Sequence, residues 1–282
     1  PGRMRRLYRE RDWQKIGDIS DPHGYYCDLA ALSCVLQVAS EHPFDAWYIN
    51  GDLLDLPWLM AKDKHKFSLD DEHVSVDEEI EFTVENILRP LRKALGKKTP
   101  IIFKPGNHED RLLRINANNA VGLREIVQAG LKRDRKHLTS MLRFDELGIT
   151  LDRGEKKNGR HTDATFLQKH GDRGCLIHGY LTGQNCLKKY LATYLCSGTS
   201  GHTHSMRREV LNWYGGEYVW QESGCLCRKT NVEFLPIGKH ATWQHGVVTI
   251  WRNKYDGQLF IKGHEIKDYT LEYKNHMYTP VS

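Results

Sequence analysis

Five short β-rich runs punctuate the chain, and each stops at a polar or glycine cluster: KIGDIS before Asp21, FDAWYIN before Gly51, PIIFKP before Gly106, GCLI before His178 and YLCSGTS before Gly201. Short runs of this kind, bounded by turn-forming residues, read as strands. Between the first two lies DLAALSCVLQVASEH, with Leu29, Leu32, Leu36 and Ala39 at helical spacing. Between the next two, Ile80, Val84, Ile87, Leu88, Leu91 and Leu95 repeat likewise. Pro90 lacks a backbone donor and crowds Arg89, so a kink or split is expected there. Strand alternating with helix predicts a mostly parallel sheet with polar loops at its strand ends. From Glu217 onward EYVWQES, GVVTIW and QLFIK read as strands with little helical pattern between them, which predicts a second sheet packed on the first. No internal repeat or low-complexity linker divides the 282 residues. One domain over residues 1–282 is expected, with a mainly helical insertion at about 116–147 and a surface loop from Leu151 to Ala164.

No uncharged apolar run is long enough to span a membrane, and none follows the basic start PGRMRRLYRERDWQK as a signal peptide would require. The Pro-Gly start, with Met4 just inside, leaves the native beginning open. Seven cysteines, an odd number scattered from Cys27 to Cys227, do not form the framework of a secreted disulfide protein, so a reducing cytoplasm is expected. Cys225 and Cys227 make a C-x-C with no matching second pair and read as ordinary buried thiols rather than a zinc or redox site. A net charge of +5 permits a polyanionic partner without requiring one.

At the strand ends the chemistry-bearing clusters are SDPHG with Asp21 and His23, NGDLLD with Asp52 and Asp55, PGNHED with Asn107 and His108, IHG with His178, and SGHTHS with His202 and His204. Taken alone, an H-x-H in an extended loop is either solvated or a pair of ligands. Taken together, carboxylate, imidazole and amide groups suit two divalent metals better than one thiolate-bound zinc. Asp52 is the natural bridge, because a shared carboxylate lets two cations sit roughly 3.5–4 Å apart and clamp a phosphoryl group from both sides.

The order D-x-H, G-D-x-x-D, G-N-H-E, H-G, G-H-x-H over residues 17 to 204 resembles the calcineurin-like metallophosphoesterase superfamily. The resemblance implies an α/β fold of two packed mixed β-sheets flanked by helices, an α/β/β/α sandwich. It implies that Asp21, His23, Asp52 and His204 hold one metal, and that Asp52, Asn107, His178 and His202 hold the other. His108 then protonates the leaving oxygen, with Asp52 and Asn107 counted beside it as catalytic. Asp55 is expected to orient a ligand by hydrogen bonding. Glu109 and Asp110 either keep the imidazolium charged or form a solvated helix start. Leu56 and Gly106 stand where serine/threonine protein phosphatases carry arginines, and Asp55 stands where purple acid phosphatases carry a tyrosine ligand, so neither subgroup fits. G-N-H-E-D-R-L (Gly106 to Leu112), F-D-E-L-G-I (Phe144 to Ile149), E-x-G-C-L-C (Glu222 to Cys227) and W-x-x-G (Trp243 to Gly246) are similar to phage and prophage-type members.

The resulting expectation is a phosphoesterase that hydrolyses phosphomonoesters or phosphodiesters by in-line attack of a metal-bridging hydroxide. Two divalent ions are implied, Mn²⁺ ahead of Fe, Zn, Ni or Mg, with a phosphate ester, nucleotides and nucleic acid included, as partner and no membrane. The alternative is a nuclease of the Mre11 kind, whose second motif N-G-D-L-L-D resembles. A non-catalytic scaffold is disfavoured because all seven ligand positions are intact. Arg111 and Arg114, one helical turn apart, read as forks for a substrate phosphate or as a wet helix face. The run Lys132, Arg133, Arg135 and Lys136 suits a nucleic-acid backbone or simple solvation. His161, His170, His240, His245 and His264 lack partners of matching spacing and read as solvated or hydrogen-bonded.

Overall fold

The computed structural model describes residues 9–56, 75–113, 137–154, 156–157, 160–161, 164–167, 174–213, 216–229 and 242–281. The chain begins with strand β1 (Trp13–Ile19), helix α1 (Leu29–Glu41) and strand β2 (Ala46–Asn50). Asp28 starts α1 as its cap, its carboxylate accepting the N–H groups of Ala30 and Ala31. Helix α2 (Val76–Thr83) starts with a capping box between Ser75 and Glu78, passes through a π-helical stretch (Val84–Leu88) and runs on as α3 (Arg89–Leu95). Pro90 does not end the helical run, whose irregularity lies just before it in the π-helical stretch. It falls in the first turn of α3, after the π-helical stretch has already displaced the regular hydrogen-bond pattern.

Strand β3 (Ile101–Lys104) leads into α4 (Asn107–Leu113); α5 (His137–Met141), α6 (Phe144–Leu147) and β4 (Ile149–Leu151) follow. A short hairpin, β5 (Lys156–Lys157) with β6 (Arg160–His161), occupies part of the interval expected to be a plain surface loop. Then come β7 (Thr165–Phe166), β8 (Gly174–Ile177), helix α7 (Cys186–Tyr194), β9 (Ser197–Ser200), β10 (Arg208–Trp213) and β11 (Gly216–Glu222). The chain closes with β12 (His245–Asn253), β13 (Leu259–Lys267), β14 (Thr270–Tyr273) and β15 (His276–Tyr278).

These strands form two mixed sheets. The first has the order β15-β14-β13-β12-β1-β2-β3-β4, parallel from β1 to β4 and antiparallel from β1 outward to β15; the second has the order β10-β11-β9-β8-β7. One apolar cluster, including Trp47, Ile49, Phe103, Val35 and Leu91, lies between the first sheet and α1 to α3. Another, including Tyr190, Leu191 and Trp220, lies between the second sheet and α7. Ile16, Leu176, Val248, Ile250 and Ile261 seal the sheets against each other. The architecture is the expected sandwich of two mixed sheets flanked by helices.

Two expectations are corrected. GVVTIW and QLFIK do not build the second sheet: as β12 and β13 they extend the first from the free edge of β1, which an antiparallel meander can do without a crossover. EYVWQE alone joins the second sheet, as β11. Of the face expected for α1, Leu32 and Ala39 are buried and Leu36 packs against the core, but Leu29 is exposed and Ala31, Cys34, Val35 and Val38 are buried as well. Apolar residues surround this helix so completely that spacing does not single out a face. The described part of the insertion, residues 137–147, is helical in α5 and α6; residues 114–136 lie outside the described residues. No helix among the described residues is long and apolar enough to cross a membrane.

At Gly17 a Cβ would stand 2.2 Å from the ring of buried Trp47. Gly17→Ala should therefore destabilise the fold by about 1–3 kcal/mol, read as a lower urea midpoint. A midpoint equal to the parent's would show that this contact has room to spare.

Candidate metal centre

Every expected ligand leaves the C-terminal end of a strand: Asp21 and His23 after β1, Asp52 after β2, Asn107 after β3, His178 after β8, and His202 and His204 after β9. Because β1 to β3 belong to one sheet and β8 and β9 to the other, the pocket is assembled where the strand ends of both sheets meet. Direct bonds lock the loops together. Asp21 N–H donates to Gly51 O at 3.1 Å, His23 N–H to Asp52 O at 3.0 Å, and Gly201 N–H to His178 O at 2.9 Å.

Five of the expected ligands have left-handed backbones: Asp21 (φ 53°), His23 (53°), Asp52 (48°), His202 (70°) and His204 (58°). Such conformations cost roughly 1–3 kcal/mol each and concentrate where function demands a particular side-chain position. The extended loop expected for His202 and His204 is not formed, since Thr203 N–H bonds back to Gly201 O at 2.8 Å. The two rings diverge as a result. His202 lies against His178, ring centroids 5.5 Å apart, whereas His204 Nε2 lies 3.1 Å from His23 Nε2. Two glycines permit the close approach: a Cβ on Gly106 would stand 2.4 Å from the Asp52 backbone nitrogen, and one on Gly201 would stand 2.5 Å from Asp21 Oδ2.

Donor atoms of Asp21, His23 and Asp52 lie within 4.8 Å of one another, and so do those of Asp52, His178 and His202. Asp52 belongs to both groups. His204 Nε2 stands 3.2 Å from Asp21 Oδ1, and His178 Nε2 stands 3.2 Å from both Asp52 Oδ2 and Asn107 Oδ1. Metal bonds of about 2.0–2.2 Å put neighbouring ligand atoms roughly 3 Å apart, which these spacings match. The tautomers agree as well. His178 Nδ1–H donates to Asn50 O at 2.8 Å and His23 Nδ1–H donates to Asp55 Oδ1 at 2.8 Å, so each ring turns Nε2 inward. The facing Nε2 atoms of His23 and His204 cannot both carry a proton; a cation or a single shared proton must lie between such lone pairs.

The electrostatics express the same demand for positive charge. Burial alone raises Asp21, yet the neighbouring His204 and His178 rings outweigh it and hold the carboxyl well below its usual range. Asp52 is likewise pulled down against burial, by His178 and His108. Burial lowers His178, but the carboxylates of Asp52 and Asp21 carry it up to about 10. His23 is also raised despite burial, by Asp21 and Asp55, whereas His202 is lowered by burial and by His178.

His108 donates Nδ1–H to Asp55 O at 2.5 Å and turns Nε2 to within 3.7 Å of Asp52 Oδ2, while its backbone N–H holds Asp52 Oδ1 at 2.9 Å. Glu109 is not a solvated helix start. Its buried carboxylate accepts Leu54 N–H and Gly106 N–H, both at 2.8 Å, joining two ligand loops, and burial with the Asp52 charge pushes it up to about 7. Asp110 is partly exposed, its N–H on Gly106 O. The Arg111 side chain, Arg114 and the run Lys132 to Lys136 lie outside the described residues, as do His170, His240 and the side chain of His161. His245 and His264 are buried and bonded, to Cys227 O at 2.8 Å and to Thr249 Oγ1 at 3.2 Å. Cys225 and Cys227 are buried free thiols, and Cys227 Sγ lies 3.7 Å from His204 Nδ1.

Several further side chains, given no role by the sequence reading, support the ligand loops. Ser20 Oγ donates to Asp21 Oδ2 at 2.5 Å, and Glu79 reaches from α2 to accept the Asp55 N–H at 2.5 Å. Glu79 has a legible signal after all, a carboxylate one residue from Ile80 and four from Thr83 on a buried helix face. Thr203, between the two strained histidines, donates its hydroxyl to Glu222 Oε1 at 2.6 Å. Glu222 is fully buried and clamped by Arg207 through Nε at 2.7 Å and Nη2 at 2.8 Å. Trp243 packs on His204 with ring centroids 4.1 Å apart.

No family model matches the chain, and no curated protein matches it. Solved structures that resemble it include Vps29 from Cryptosporidium parvum, at TM-score 0.44 and 12% identity over 95% of this chain and 98% of that one. A single mutant of Vps29 from Entamoeba histolytica gives 0.42 and 10% over 94% and 100%, and PhoD gives 0.44 and 7% over 90% and 70%. Likenesses this distant have no bearing on activity.

The Thr203 to Glu222 bond generates a test. Thr203→Val should weaken divalent-metal binding roughly 10- to 100-fold in calorimetric titration, while Thr203→Ser, which keeps the hydroxyl, stays near the parent. Equal affinities for valine and serine would remove the bond from the site.

Proposed function

We propose that the chain is a calcineurin-like metallophosphoesterase that hydrolyses phosphate mono- or diesters with two divalent cations. The observation that carries this reading is the pair of donor groups sharing Asp52, Asp21–His23–Asp52 and Asp52–His178–His202, built on strained loops. Asp21, His23, Asp52 and His204 would hold one ion, and Asp52, Asn107, His178 and His202 the other. When bound, such ions polarise the phosphoryl group and make water acidic enough to attack at neutral pH. Mixed oxygen and nitrogen donors suit Mn²⁺ first, with Fe, Zn, Ni or Mg as competitors. The finer placement beside phage-type members rests on sequence segments alone. Seven buried unpaired cysteines favour a reducing compartment such as the cytoplasm.

The protein's own part in the chemistry centres on His108. With Nδ1–H fixed on the Asp55 carbonyl, Nε2 is the nitrogen that takes up and releases a proton, beside the Asp52 carboxylate. That position suits protonation of a leaving alkoxide. Asp55 sets both imidazoles at once, His23 through its carboxylate and His108 through its carbonyl. Glu109 joins the Asp52 loop to the Asn107 loop.

Chelated protein should take up two equivalents of Mn²⁺ and recover hydrolysis of a generic diester or monoester. His108→Ala should cost roughly 10²–10⁴ in turnover on an alkyl ester while still binding two metals. One equivalent in a fully active parent would contradict the dinuclear centre, and loss of metal in the alanine variant would make His108 a ligand instead.

A further inference from the structure

The tripeptide H-G-Y occurs twice, as His23-Gly24-Tyr25 and as His178-Gly179-Tyr180, once in each half of the proposed centre. In both copies the glycine is left-handed, at φ 50° and 99°, and in both the tyrosine ring is exposed, 41% for Tyr25 and 59% for Tyr180. Two residues of chain reach at most about 7 Å, so each ring is tethered close beside an inward-facing histidine.

Isolated exposed aromatics are ordinary on a protein surface. These two are distinguished by their shared register with the site and by how firmly they are held. Tyr180 N–H and Leu181 N–H both donate to Tyr190 Oη, at 2.9 and 2.8 Å, and the Tyr180 ring meets Tyr190 edge-on at 6.0 Å. Tyr190 is itself buried and stacked on Trp220 at 5.2 Å. Tyr25 packs edge-on against Phe82 at 5.1 Å. Its carbonyl accepts Arg228 Nη2–H at 2.6 Å, and the Arg228 guanidinium lies 5.6 Å from its ring centre. An exposed ring held by its neighbours is a surface on which a flat base stacks at little entropic cost, and at Tyr25 the Arg228 guanidinium adds a cation beside it.

Building on the phosphoesterase reading, we propose that Tyr25 and Tyr180 are stacking platforms on either side of the centre. The substrate is then a nucleotide phosphodiester with a base on each side of the scissile phosphate. A monoester would engage one platform only.

The test compares a thymidine dinucleotide with glycerophosphoglycerol, a diester without rings, using the Mn²⁺-loaded full chain. The ratio of kcat/KM for the dinucleotide to that for the ring-free ester should fall about 5- to 150-fold in Tyr25→Ala and in Tyr180→Ala, the range expected for one base stack. Tyr25→Phe and Tyr180→Phe should restore it. An unchanged ratio in either alanine variant overturns the two-base arrangement while the phosphoesterase reading stands. If the parent cleaves neither diester nor a generic monoester, that reading is the one that fails. Equilibrium binding of the dinucleotide then decides the platforms: both alanine variants weaken it if they exist, and leave it unchanged if they do not.

Discussion

Asp21 and Asp52 are buried carboxylates a few ångströms apart, and the imidazole nitrogens of His204 and His178 stand 3.2 Å from them. Burying two such charges a few ångströms apart is tolerable only with compensating positive charge. A proton on His178 supplies part of it, which is why the carboxyls are pulled down and His178 is pushed up. Protons do this poorly where His23 Nε2 and His204 Nε2 meet at 3.1 Å, because only one fits between them. A divalent cation satisfies both nitrogens and the carboxylates together. The remaining features of the pocket follow from keeping these donors in place when electrostatics favours spreading them apart.

That constraint falls on the backbone. Left-handed conformations at Asp21, His23, Asp52, His202 and His204 aim the side chains inward, and each is held by bonds from a neighbouring strand end. Glu109, Glu79 and Glu222 act alike: each is a buried carboxylate that accepts hydrogen bonds from loop groups next to a ligand and so opposes relaxation. Two of these acids titrate near neutrality, because burial raises Glu79 and Glu109 to about 7. Their bonds to backbone N–H groups are strongest in the ionised form.

What was legible in the chain is the set of strand ends. KIGDIS, FDAWYIN, PIIFKP and GCLI all supply strands, YLCSGTS does so only over its last four residues because Tyr194 ends α7, and the polar cluster after each run enters the same pocket. Strand ends are legible because a short β run and its terminating turn are local features. Less legible is anything decided by distant neighbours. GVVTIW pairs with β1 because that edge is open, which no window of sequence reveals. The same holds for the carbonyls of Asn50 and Asp55, which set the tautomers of His178 and His108 and leave no mark in residue identity. Thr203 escaped notice because its partner Glu222 lies 19 residues away on another element.

The division of the donors between two sheets has its own physical consequence. His178, His202 and His204 hang from β8 and β9, whereas Asp21, His23, Asp52 and Asn107 hang from β1, β2 and β3. Neither sheet can gather a full set of donors alone. The inter-sheet layer of Ile16, Leu176, Val248, Ile250 and Ile261 therefore does more than contribute apolar burial, because it fixes the distance between the two half-sites. Polar bonds near the pocket tighten the same junction: His178 to Asn50 O, Ser223 to Asp18 at 2.9 Å, and Leu226 N–H to Asp21 O at 3.1 Å. A cation coordinated from both sheets would tie them further, so its binding energy would add to the stability of the junction as well as to the chemistry.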